Sequence, residues 1–370
     1  MSRRDFFFAG GGTGGHIYPG LAVAEEIVRL GEGRAVHFFC SGRAIDSHIV
    51  GRAGFGYSEL SARGFSLRPV RLIEFVRSFR ESCRVSRRVL GGSENAVVTG
   101  VGGYVAAPVC RAARKLGLPV ALLNVDIVAG LANRMAVRYA DVVFVQFEET
   151  AKYFRKFKVD VRVVGCPLRS AFANPDGARA VEDLALDKDK RILLVTGASS
   201  GSESINRTIC SLVDKLDRYA GEWQIVHLAG LANVEKVQAR YKGAEIAYKV
   251  LGYYDEMADL LSAASLVVGR SGAVSVAEYA AAGVATICMP YPHHRDMHQY
   301  LNAGKLVEVG AAVIVDDLPD ERERAEWLWE ELEELMGDDA KRRCMAESCR
   351  SVGKGDAAAV VAEYLLSVGG

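Results

Sequence analysis

The chain lacks a net charge, a long apolar run and any metal-binding spacing of cysteine. Its 46 lysines and arginines balance 46 aspartates and glutamates, which argues against a general nucleic-acid-binding protein. No window holds the roughly 18 apolar residues of a membrane span, and the apolar stretch near the start breaks into glycine too early for a signal peptide. The eight cysteines are scattered, with no Cys-x-x-Cys or zinc-type spacing. We therefore expect reduced thiols and a protein that stays in the cytoplasm.

What the chain does have is a repeated alternation of short apolar runs with helical patterns. At 370 residues it is long for one hydrophobic core, which favours two domains. The apolar runs are continuous, as is typical of strands buried on both faces of a parallel sheet. The predicted strands are Phe6–Ala9, Val36–Phe39, Tyr57–Leu60, Ala96–Thr99, Val120–Leu123 and Val142–Val145 in the first half, and Ile192–Val195, Gln224–Leu228, Leu266–Val268, Thr286–Met289 and Val313–Val315 in the second.

A polar stretch after Gly165-Cys166-Pro167 separates these two series of strands. The sequence thus predicts an α/β protein with two doubly wound, Rossmann-like domains that face each other across a ligand cleft. The expected boundaries are 1–164 for the first domain and 165–354 for the second. A helix within 355–370 is expected to pack back on the first domain.

A glycine-rich loop, Gly10–Gly20, lies between the first predicted strand and the first predicted helix. Such a turn lets backbone N–H groups approach a ligand closely, and a helix N-terminus favours anionic or polar groups there. It is not a Walker loop, because no Gly-Lys-Ser/Thr follows, and Thr13 and His16 break the dinucleotide-binding spacing. His16 is placed to reach a bound ligand; the alternative is a tight turn whose histidine merely caps the helix.

Two further glycine turns follow predicted strands. Gly100–Tyr104 ends a strand of the first domain and can bring backbone and a tyrosine hydroxyl to the same cleft. Gly197–Gly201 opens a helix after the first strand of the second domain. Together the turns indicate a site for phosphate groups.

Charged residues near these turns suit a nucleotide. Arg270-Ser271-Gly272 follows a predicted strand and opens a helix that carries Glu278. A helix N-terminus suits phosphate oxygens and a carboxylate suits the vicinal hydroxyls of a ribose; a surface glutamate is the alternative. Arg169, near the predicted hinge, can clamp a diphosphate bidentately, unless it forms an ordinary surface salt bridge.

The polar loop of residues 290–302 carries three histidines and an aspartate before a helix. These residue types suit a metal ion, but no His-Glu-x-x-His pattern is present. Hydrogen bonding of sugar hydroxyls by Gln299 and its neighbours is the preferred interpretation, and no metal site is predicted.

Residues 63–88 hold eight arginines and two glutamates, a net charge of +6. A helix here has an apolar stripe and an adjoining basic stripe, formed by Leu72, Val76, Phe79 and Cys83 and by Arg77, Arg80, Arg84 and Arg87. This pattern fits an anionic membrane surface, and equally an amphipathic helix packed on the sheet.

Taken together, these motifs closely resemble those of the MurG family, the UDP-N-acetylglucosamine:lipid I N-acetylglucosaminyltransferases of bacterial peptidoglycan synthesis. The motifs occur in the family's order over nearly the whole chain: Gly11-Gly12-Thr13-Gly14-Gly15-His16, Pro19-Gly20-Leu21-Ala22, Gly102-Gly103-Tyr104, Arg270-Ser271-Gly272-Ala273 with Glu278, Ala280-Ala281-Ala282-Gly283, and His298-Gln299 with Asn302. The resemblance implies an inverting GT-B glycosyltransferase that needs no metal or other cofactor. It implies UDP-N-acetylglucosamine, lipid I and an anionic membrane as partners, a peripheral location at the cytoplasmic face of the plasma membrane, and no nucleic acid; no oligomeric state is predicted.

The resemblance also implies a role for each matched residue. His16 is the favoured catalytic base and Asp126 the second candidate. Arg169 and the glycine-serine turn would stabilise the leaving UDP, Glu278 would hold the ribose and Tyr253 would border the uracil. The acceptor or phosphate loop would be Gly102, Gly103 and Tyr104. The donor site would comprise Thr13, Gly14, Gly15, Asp126, Arg169, Ser199, Tyr253, Arg270, Ser271, Gly272, Glu278, His298, Gln299 and Asn302.

Two departures from the family pattern leave alternatives open. Leu123-Asn124-Val125-Asp126 stands where the family usually has His-Glu-Gln-Asn, and Cys166 stands where it has an asparagine. One alternative is therefore a GT-B glycosyltransferase for a different glycolipid. Others are a non-catalytic nucleotide-sugar-binding protein, against which the retained His16, Arg169 and Glu278 together argue, and a sugar-nucleotide epimerase, which would have no use for the basic helix.

Overall fold

A computed structural model describes residues 4–12, 14–31, 34–64, 68–93, 95–353 and 355–368. The chain divides into two compact units, of which unit 1 comprises residues 1–170 with 354–370 and unit 2 comprises residues 171–353. Each unit contains one parallel sheet whose strands alternate with helices. The two doubly wound domains predicted from the sequence are therefore present.

Unit 1 is built on a seven-stranded parallel sheet with the order β3-β2-β1-β4-β5-β6-β7. Its strands are β1 (Asp5–Ala9), β2 (Ala35–Ser41), β3 (Gly56–Leu60), β4 (Ala96–Gly100), β5 (Val120–Asn124), β6 (Val142–Val145) and β7 (Asp160–Val163). The intervening helices are α1 (Tyr18–Leu30), α2 (Ala44–Arg52), α3 (Pro69–Leu90), α4 (Gly103–Lys115) and α5 (Leu131–Ala136). The strand order reverses between β1 and β4, so the loops that follow these strands meet at the carboxyl edge of the sheet.

Unit 2 repeats this plan with six parallel strands in the order β10-β9-β8-β11-β12-β13. Its strands are β8 (Arg191–Thr196), β9 (Trp223–Leu228), β10 (Ala247–Leu251), β11 (Leu266–Gly269), β12 (Thr286–Cys288) and β13 (Ala312–Ile314). Its helices are α6 (Gly177–Asp183), α7 (Glu203–Ser211), α8 (Val213–Leu216), α9 (Val234–Tyr241), α10 (Met257–Ala263), α11 (Ala273–Ala282), α12 (His298–Val307), α13 (Glu321–Gly337) and α14 (Asp339–Val352). Here the order reverses between β8 and β11.

The last helix, α15 (Ala357–Ser367), follows unit 2 in sequence but packs against α1 of unit 1. The Tyr364 ring meets Phe144 of β6 edge-on, with 5.3 Å between ring centroids. Arg4 Nη1 donates a hydrogen bond to the carbonyl oxygen of Leu366, 3.1 Å away. The roles that the sequence assigns to the two units stay predictions.

The degree of burial explains why most strands could be predicted from the sequence and why two, β7 and β10, could not. Strands β4, β5, β6, β9, β11 and β12 are buried at every residue, and their sequences are mainly apolar. The sequence analysis missed β7 and β10, which lie at sheet edges and are largely exposed or half-buried.

Candidate functional site

Two glycine loops of unit 1 come together where its strand order reverses. The first loop runs from β1 into a 3-10 turn at Gly14–His16, and the second joins β4 to α4. A Cβ built on Gly103 would lie 2.1 Å from the carbonyl oxygen of Gly11, so the backbones touch and leave no room for a side chain. The structure thus brings together two of the predicted glycine turns, Gly10–Gly20 and Gly100–Tyr104. Gly14 and Gly15 lie in the 3-10 turn of the first.

His16 lies directly against the second loop. Gly102 has φ of +134°, and a Cβ there would lie 2.6 Å from Cδ2 of the half-buried His16. Tyr104, the next predicted residue, is 57% exposed and its ring packs against Gly64. Thr13 lies outside the described residues. His16, Gly102 and Gly103 therefore form one cluster, with Tyr104 beside it.

Asp46, which the sequence analysis missed, holds the first loop in place. Its carboxylate is fully buried, and Oδ2 accepts hydrogen bonds from the Gly12 backbone N–H (2.7 Å) and the Ser41 hydroxyl (2.5 Å). Arg43 Nη1 donates to the carbonyl oxygen of Gly12, 2.5 Å away. Within the described residues, Asp46 Oδ1 has no hydrogen-bond partner. No local sequence signal indicates this role, because Gly12 lies 34 residues before Asp46.

Asp126 lies in the loop after β5, and a buried amide network fixes that loop. Asn124 Nδ2 donates to the carbonyl oxygen of Asp126 at 2.7 Å, and Asn124 Oδ1 accepts from Asn133 Nδ2 at 3.0 Å. The Thr150 hydroxyl donates to the carbonyl oxygen of Ile127 at 3.0 Å. The half-buried Asp126 side chain is thus carried on an ordered loop, and its role as a base stays a prediction.

In unit 2, the glycine-serine turn and the start of α11 lie where the strand order reverses, as the two glycine loops do in unit 1. The turn follows β8 and contains a 3-10 helix at Ala198–Ser200, where Ser199 is half-buried. Gly201 has φ of +73°, and a Cβ there would lie 2.2 Å from the carbonyl oxygen of Ala229. Arg270 and its neighbours follow β11, beside β8. Both elements predicted at the donor site therefore lie at the second point of strand reversal.

The guanidinium of Arg270 is buried and engaged by protein groups. Its Nη1 donates to the carbonyl oxygens of Met289 and Pro290, at 2.8 and 3.1 Å. Its Nη2 lies 2.7 Å from Asp317 Oδ2 and 2.7 Å from the Ser202 hydroxyl oxygen. Both terminal nitrogens therefore join the loops around the site, and the place of Arg270 among the donor-binding residues stays a prediction.

One buried hydroxyl lies just before α11, and the helix itself carries a half-buried carboxyl. Ser271 is fully buried, and its Oγ has no hydrogen-bond partner among the residues that the structure describes. Asn302 Nδ2 lies 3.4 Å from the carbonyl oxygen of Ser271. Burial raises the pKa of Glu278 to about 8. At neutral pH its carboxyl is therefore mainly protonated, whereas the sequence analysis assumed a carboxylate.

The loop before α12 is held by polar contacts of its own. His298 Nδ1 lies 2.7 Å from Asp296 Oδ1, and its ring stacks on His294 with 4.3 Å between centroids. Burial would raise the pKa of Asp296, but the hydrogen bond and charge of His298 outweigh it, so the pKa is lowered. Gln299 Oε1 accepts a hydrogen bond from the Tyr291 backbone N–H at 2.9 Å. In the described ranges, no group of three or more histidine, cysteine, aspartate or glutamate side chains is placed to hold a metal ion.

Arg169 and Tyr253 complete the predicted donor residues. Arg169, near the end of unit 1, donates from Nε to Glu25 Oε1 on α1 at 2.9 Å. This is the salt bridge that the sequence analysis gave as the alternative to a diphosphate contact. Tyr253 is half-buried in the segment after β10 of unit 2.

Helix α3 has two different halves. Its first half exposes large apolar side chains, namely Val70, Leu72, Ile73 and Val76. In its second half, Phe79 packs on the apolar core and Cys83 Sγ donates to the carbonyl oxygen of Pro108 at 3.4 Å. The predicted exposed stripe is therefore wrong beyond Val76, where the helix packs inward. Arg77, Arg80 and Arg84 are exposed and line a shallow pocket with Glu81. None of the helices in the described part of the chain is long and apolar enough to cross a membrane.

Comparison with known protein families places both units in one family. Residues 6–145 match the glycosyltransferase family 28 N-terminal domain, and residues 192–361 match the glycosyltransferase family 28 C-terminal domain. A curated protein from Clavibacter sepedonicus, named UDP-N-acetylglucosamine--N-acetylmuramyl-(pentapeptide) pyrophosphoryl-undecaprenol N-acetylglucosamine transferase, is 34% identical over 370 residues, covering 97% of this chain and 95% of that protein. The protein of the same name from Geobacter sulfurreducens is 31% identical over 364 residues, covering 97% of each chain.

Solved structures share the fold over nearly the whole chain. The crystal structure of Acinetobacter baumannii MurG superposes with a TM-score of 0.73 at 25% identity, covering 99% of this chain and 100% of that one. A UDP-GlcNAc 2-epimerase from Neisseria meningitidis, solved with UDP-GlcNAc bound, gives a TM-score of 0.69 at 14% identity, covering 98% and 99%. The GT-B fold predicted from the sequence is confirmed. Because transferases and epimerases share it, the fold alone does not separate these two activities.

Proposed function

The chain belongs to the MurG family of glycosyltransferases, and on this basis we propose that it transfers N-acetylglucosamine from UDP-N-acetylglucosamine to lipid I, forming lipid II in peptidoglycan synthesis. Lipid I is the undecaprenyl-pyrophosphoryl-N-acetylmuramyl-pentapeptide named as acceptor in the relatives. The observation that carries the proposal is the loop placement: in each unit, the two loops flanking the strand reversal carry the residues of the family motifs.

The proposed reaction is a single displacement at the anomeric carbon. The acceptor hydroxyl oxygen attacks that carbon and its proton passes to a base, while the bond between the anomeric carbon and the β-phosphate oxygen breaks and UDP leaves. His16 is proposed as the base because its ring is held against Gly102 at the edge of the unit 1 sheet. Asp126 is the second candidate, on a loop that Asn124 fixes.

We assign donor binding to unit 2 and acceptor binding to unit 1. The Gly197–Gly201 turn and the start of α11 offer backbone N–H groups where charge grows on the departing diphosphate. Glu278 is proposed to bind the ribose, Tyr253 to border the uracil, and Gln299 with Asn302 to bind the sugar hydroxyls. Arg169 would contact the diphosphate only after leaving Glu25. No step in this scheme needs a metal ion.

The first half of α3 supports a proposal for membrane attachment. Its exposed apolar residues lie beside Arg77, Arg80 and Arg84 on the same helix. An anionic surface attracts each such arginine by about 1 kcal/mol, and the apolar side chains can enter the interface. We therefore place the protein as a peripheral enzyme on the cytoplasmic face of the plasma membrane.

A second candidate function is transfer to a different glycolipid. The observation that favours it is Asp126, which brings a carboxylate to the acceptor side where the family usually has an amide. The buried network around Asn124 and Asn133 shows that this segment is ordered despite its departure from the family pattern. A carboxylate in place of an amide adds a negative charge and removes two N–H donors, which would favour a different acceptor.

The deciding experiment combines the purified full-length protein with UDP-N-acetylglucosamine and either lipid I or lipid-linked monosaccharides lacking the peptide. Release of UDP and the mass of the lipid product are both followed. The proposal requires UDP release matched by a product one N-acetylglucosamine heavier than lipid I. A product only from the other acceptors would favour the second function, and conversion of UDP-N-acetylglucosamine without UDP release would indicate an epimerase.

A further inference from the structure

Beneath the glycine-serine turn of unit 2 lies a buried polar relay that the proposed mechanism does not use. It comprises Tyr241 at the end of α9, His227 on β9 and Asn206 on α7, all at most 3% exposed. His227 Nδ1 lies 3.0 Å from the Tyr241 hydroxyl oxygen, and His227 Nε2 lies 3.0 Å from Asn206 Oδ1. Asn206 Nδ2 in turn donates to the carbonyl oxygen of Ala229 at 2.9 Å.

The direction of every hydrogen bond in this relay is fixed by its last link. Since Asn206 donates through Nδ2, its Oδ1 can only accept, so His227 Nε2 must carry a hydrogen. Burial lowers the pKa of His227 to about 3, so the imidazole is neutral and its Nδ1 is bare. The Tyr241 hydroxyl therefore donates to Nδ1. Each side chain of the relay thus has a hydrogen-bond partner, and the last hydrogen bond is accepted by the backbone carbonyl oxygen of Ala229.

Ala229 is where this relay meets the proposed donor site. A Cβ on Gly201 would lie 2.2 Å from the Ala229 carbonyl oxygen, and one on Gly230 would lie 2.5 Å from the Ser200 carbonyl oxygen. The turn after β8 and the turn after β9 are thus in direct backbone contact. The first of them also holds Ala198 at φ of +60°, a conformation that persists only when its surroundings impose it.

We propose that His227 is a positioning residue, which holds these two turns in the geometry that binds the diphosphate of a nucleotide sugar. This inference rests on the proposed donor site in unit 2. His227 touches no substrate in this scheme; it acts through Asn206 and Ala229. Its loss leaves a buried acceptor on Asn206 unsatisfied and disturbs the 2.9 Å hydrogen bond from Asn206 to the Ala229 carbonyl oxygen. That carbonyl then relies on the longer, 3.4 Å hydrogen bond from Asn233 Nδ2, which allows the strained turn to relax.

The test is UDP binding by titration calorimetry, on the full-length protein and three variants at position 227. Gln places an amide N–H near the position of Nε2 and keeps the link to Asn206, whereas the shorter Asn reaches only the Nδ1 position, and Leu removes both links. We expect the Kd for UDP to rise about tenfold in His227→Leu and His227→Asn, and to stay within about threefold of the parent in His227→Gln. Comparing the two amides keeps the test decisive if the leucine variant does not fold.

Leu335→Ala serves as the control, because Leu335 lies on α13 in the same apolar core and its side chain takes no part in the hydrogen bonds of the relay. It should lower the unfolding temperature and leave the Kd for UDP unchanged. Equal UDP affinity in parent and His227→Asn, equal loss in His227→Gln, or equal loss in Leu335→Ala would overturn the inference. If the parent binds neither UDP nor UDP-N-acetylglucosamine, the donor-site proposal itself fails. If the parent binds UDP and the His227 variants bind it equally well, the donor site stands and only the role of His227 fails.

A kinetic measurement separates positioning from general damage. In His227→Asn the KM for UDP-N-acetylglucosamine should rise about tenfold, while the KM for the lipid acceptor stays within about twofold. A parallel rise of both KM values, or a fall in kcat alone, would contradict the assignment to the donor turns.

Discussion

Gly102 and His16 are in direct contact, with the position of a Cβ on Gly102 only 2.6 Å from the imidazole Cδ2. The two residues come from loops after β1 and β4, far apart in sequence, and their contact fixes where the proposed base sits. The positive φ of Gly102 adds a second constraint, since other residues rarely adopt it. Activity should therefore depend on the absence of a side chain at position 102.

Gly102→Ala should lower kcat at least about tenfold, because the methyl group displaces the His16 ring from its position. Gly117→Ala is the matched control: Gly117 also has a positive φ, of +74°, but a Cβ there meets nothing within 4 Å. Both variants should lose about 1 kcal/mol of unfolding free energy or more from backbone strain. If the two variants lose activity equally, contact with His16 is not the cause.

Asp46→Asn should cost about 1–3 kcal/mol of unfolding free energy and lower kcat, because the buried Oδ2 accepts from both Gly12 and Ser41. The amide oxygen can still accept both hydrogen bonds, but it carries no negative charge, so both bonds weaken. Asp338→Asn, at the N-cap of α14, is the control, since asparagine and aspartate cap helices equally well. Urea unfolding and turnover measured on both variants decide the matter; unchanged turnover in Asp46→Asn would mean that the first loop holds its shape without this carboxylate.

Glu278 should make the protein less stable as the pH rises from about 5 to 8. Its pKa in the folded protein is about 8, above its ordinary value of 4.5, so the folded state keeps a proton that the unfolded chain releases within this range. The stabilising contribution is full below pH 4.5 and is lost as the pH rises through 8. The urea midpoint of the parent should thus fall relative to that of Glu278→Gln between pH 5 and 8. The exposed Glu235→Gln should track the parent at both pH values.

Replacing Arg77, Arg80 and Arg84 by Ser should release the protein from anionic vesicles while UDP binding stays intact. Each arginine near the surface is worth about 1 kcal/mol, and salt should weaken the parent's attachment. Sedimentation with vesicles at low and high salt is the measurement. A triple change of Arg207, Arg218 and Arg322 to Ser, exposed on unit 2, is the charge-matched control. Persistent sedimentation of the first variant would show that α3 does not carry the attachment.

Turnover should persist in EDTA. The proposed diphosphate site relies on helix and turn N–H groups, and no metal-binding cluster occurs within the described ranges. UDP release is measured with and without chelator, and then with magnesium or manganese restored. Activity that vanishes in EDTA and returns with the metal would contradict the proposed scheme.

The sequence predicts the central strands and two of the four edge strands, β3 and β13, but not the other two, β7 and β10. A strand buried on both faces tends to be apolar along its length, as in β6 and β11, and this leaves a plain signal. At the edges, β7 and β10 need only one packed face, so Asp160-Val161-Arg162-Val163 does not stand out from a loop. Helix α3 is also difficult to interpret from sequence. Its apolar stripe is exposed to solvent in the first half and packs on the core in the second, and the sequence pattern does not distinguish the two halves.

Within the candidate site, the sequence indicates the loops but not what holds them. Glycine turns and helix starts are local patterns, so His16, Gly102 and Ser271 are visible in the sequence. Asp46 and His227 act through partners remote in sequence, and a buried polar residue looks the same whether or not it has a partner. The raised pKa of Glu278 is likewise invisible locally, because it depends on tertiary burial.

The return of α15 to unit 1 has a consequence for biosynthesis. All of unit 2 is synthesised before Ala357–Ser367, so unit 1 still lacks a helix while unit 2 is being made. During that interval, the surface around α1 and Phe144 stays uncovered. Unit 1 is therefore synthesised first and completed last. Until α15 is added, we expect aggregation and chaperone binding at its uncovered surface around α1 and Phe144.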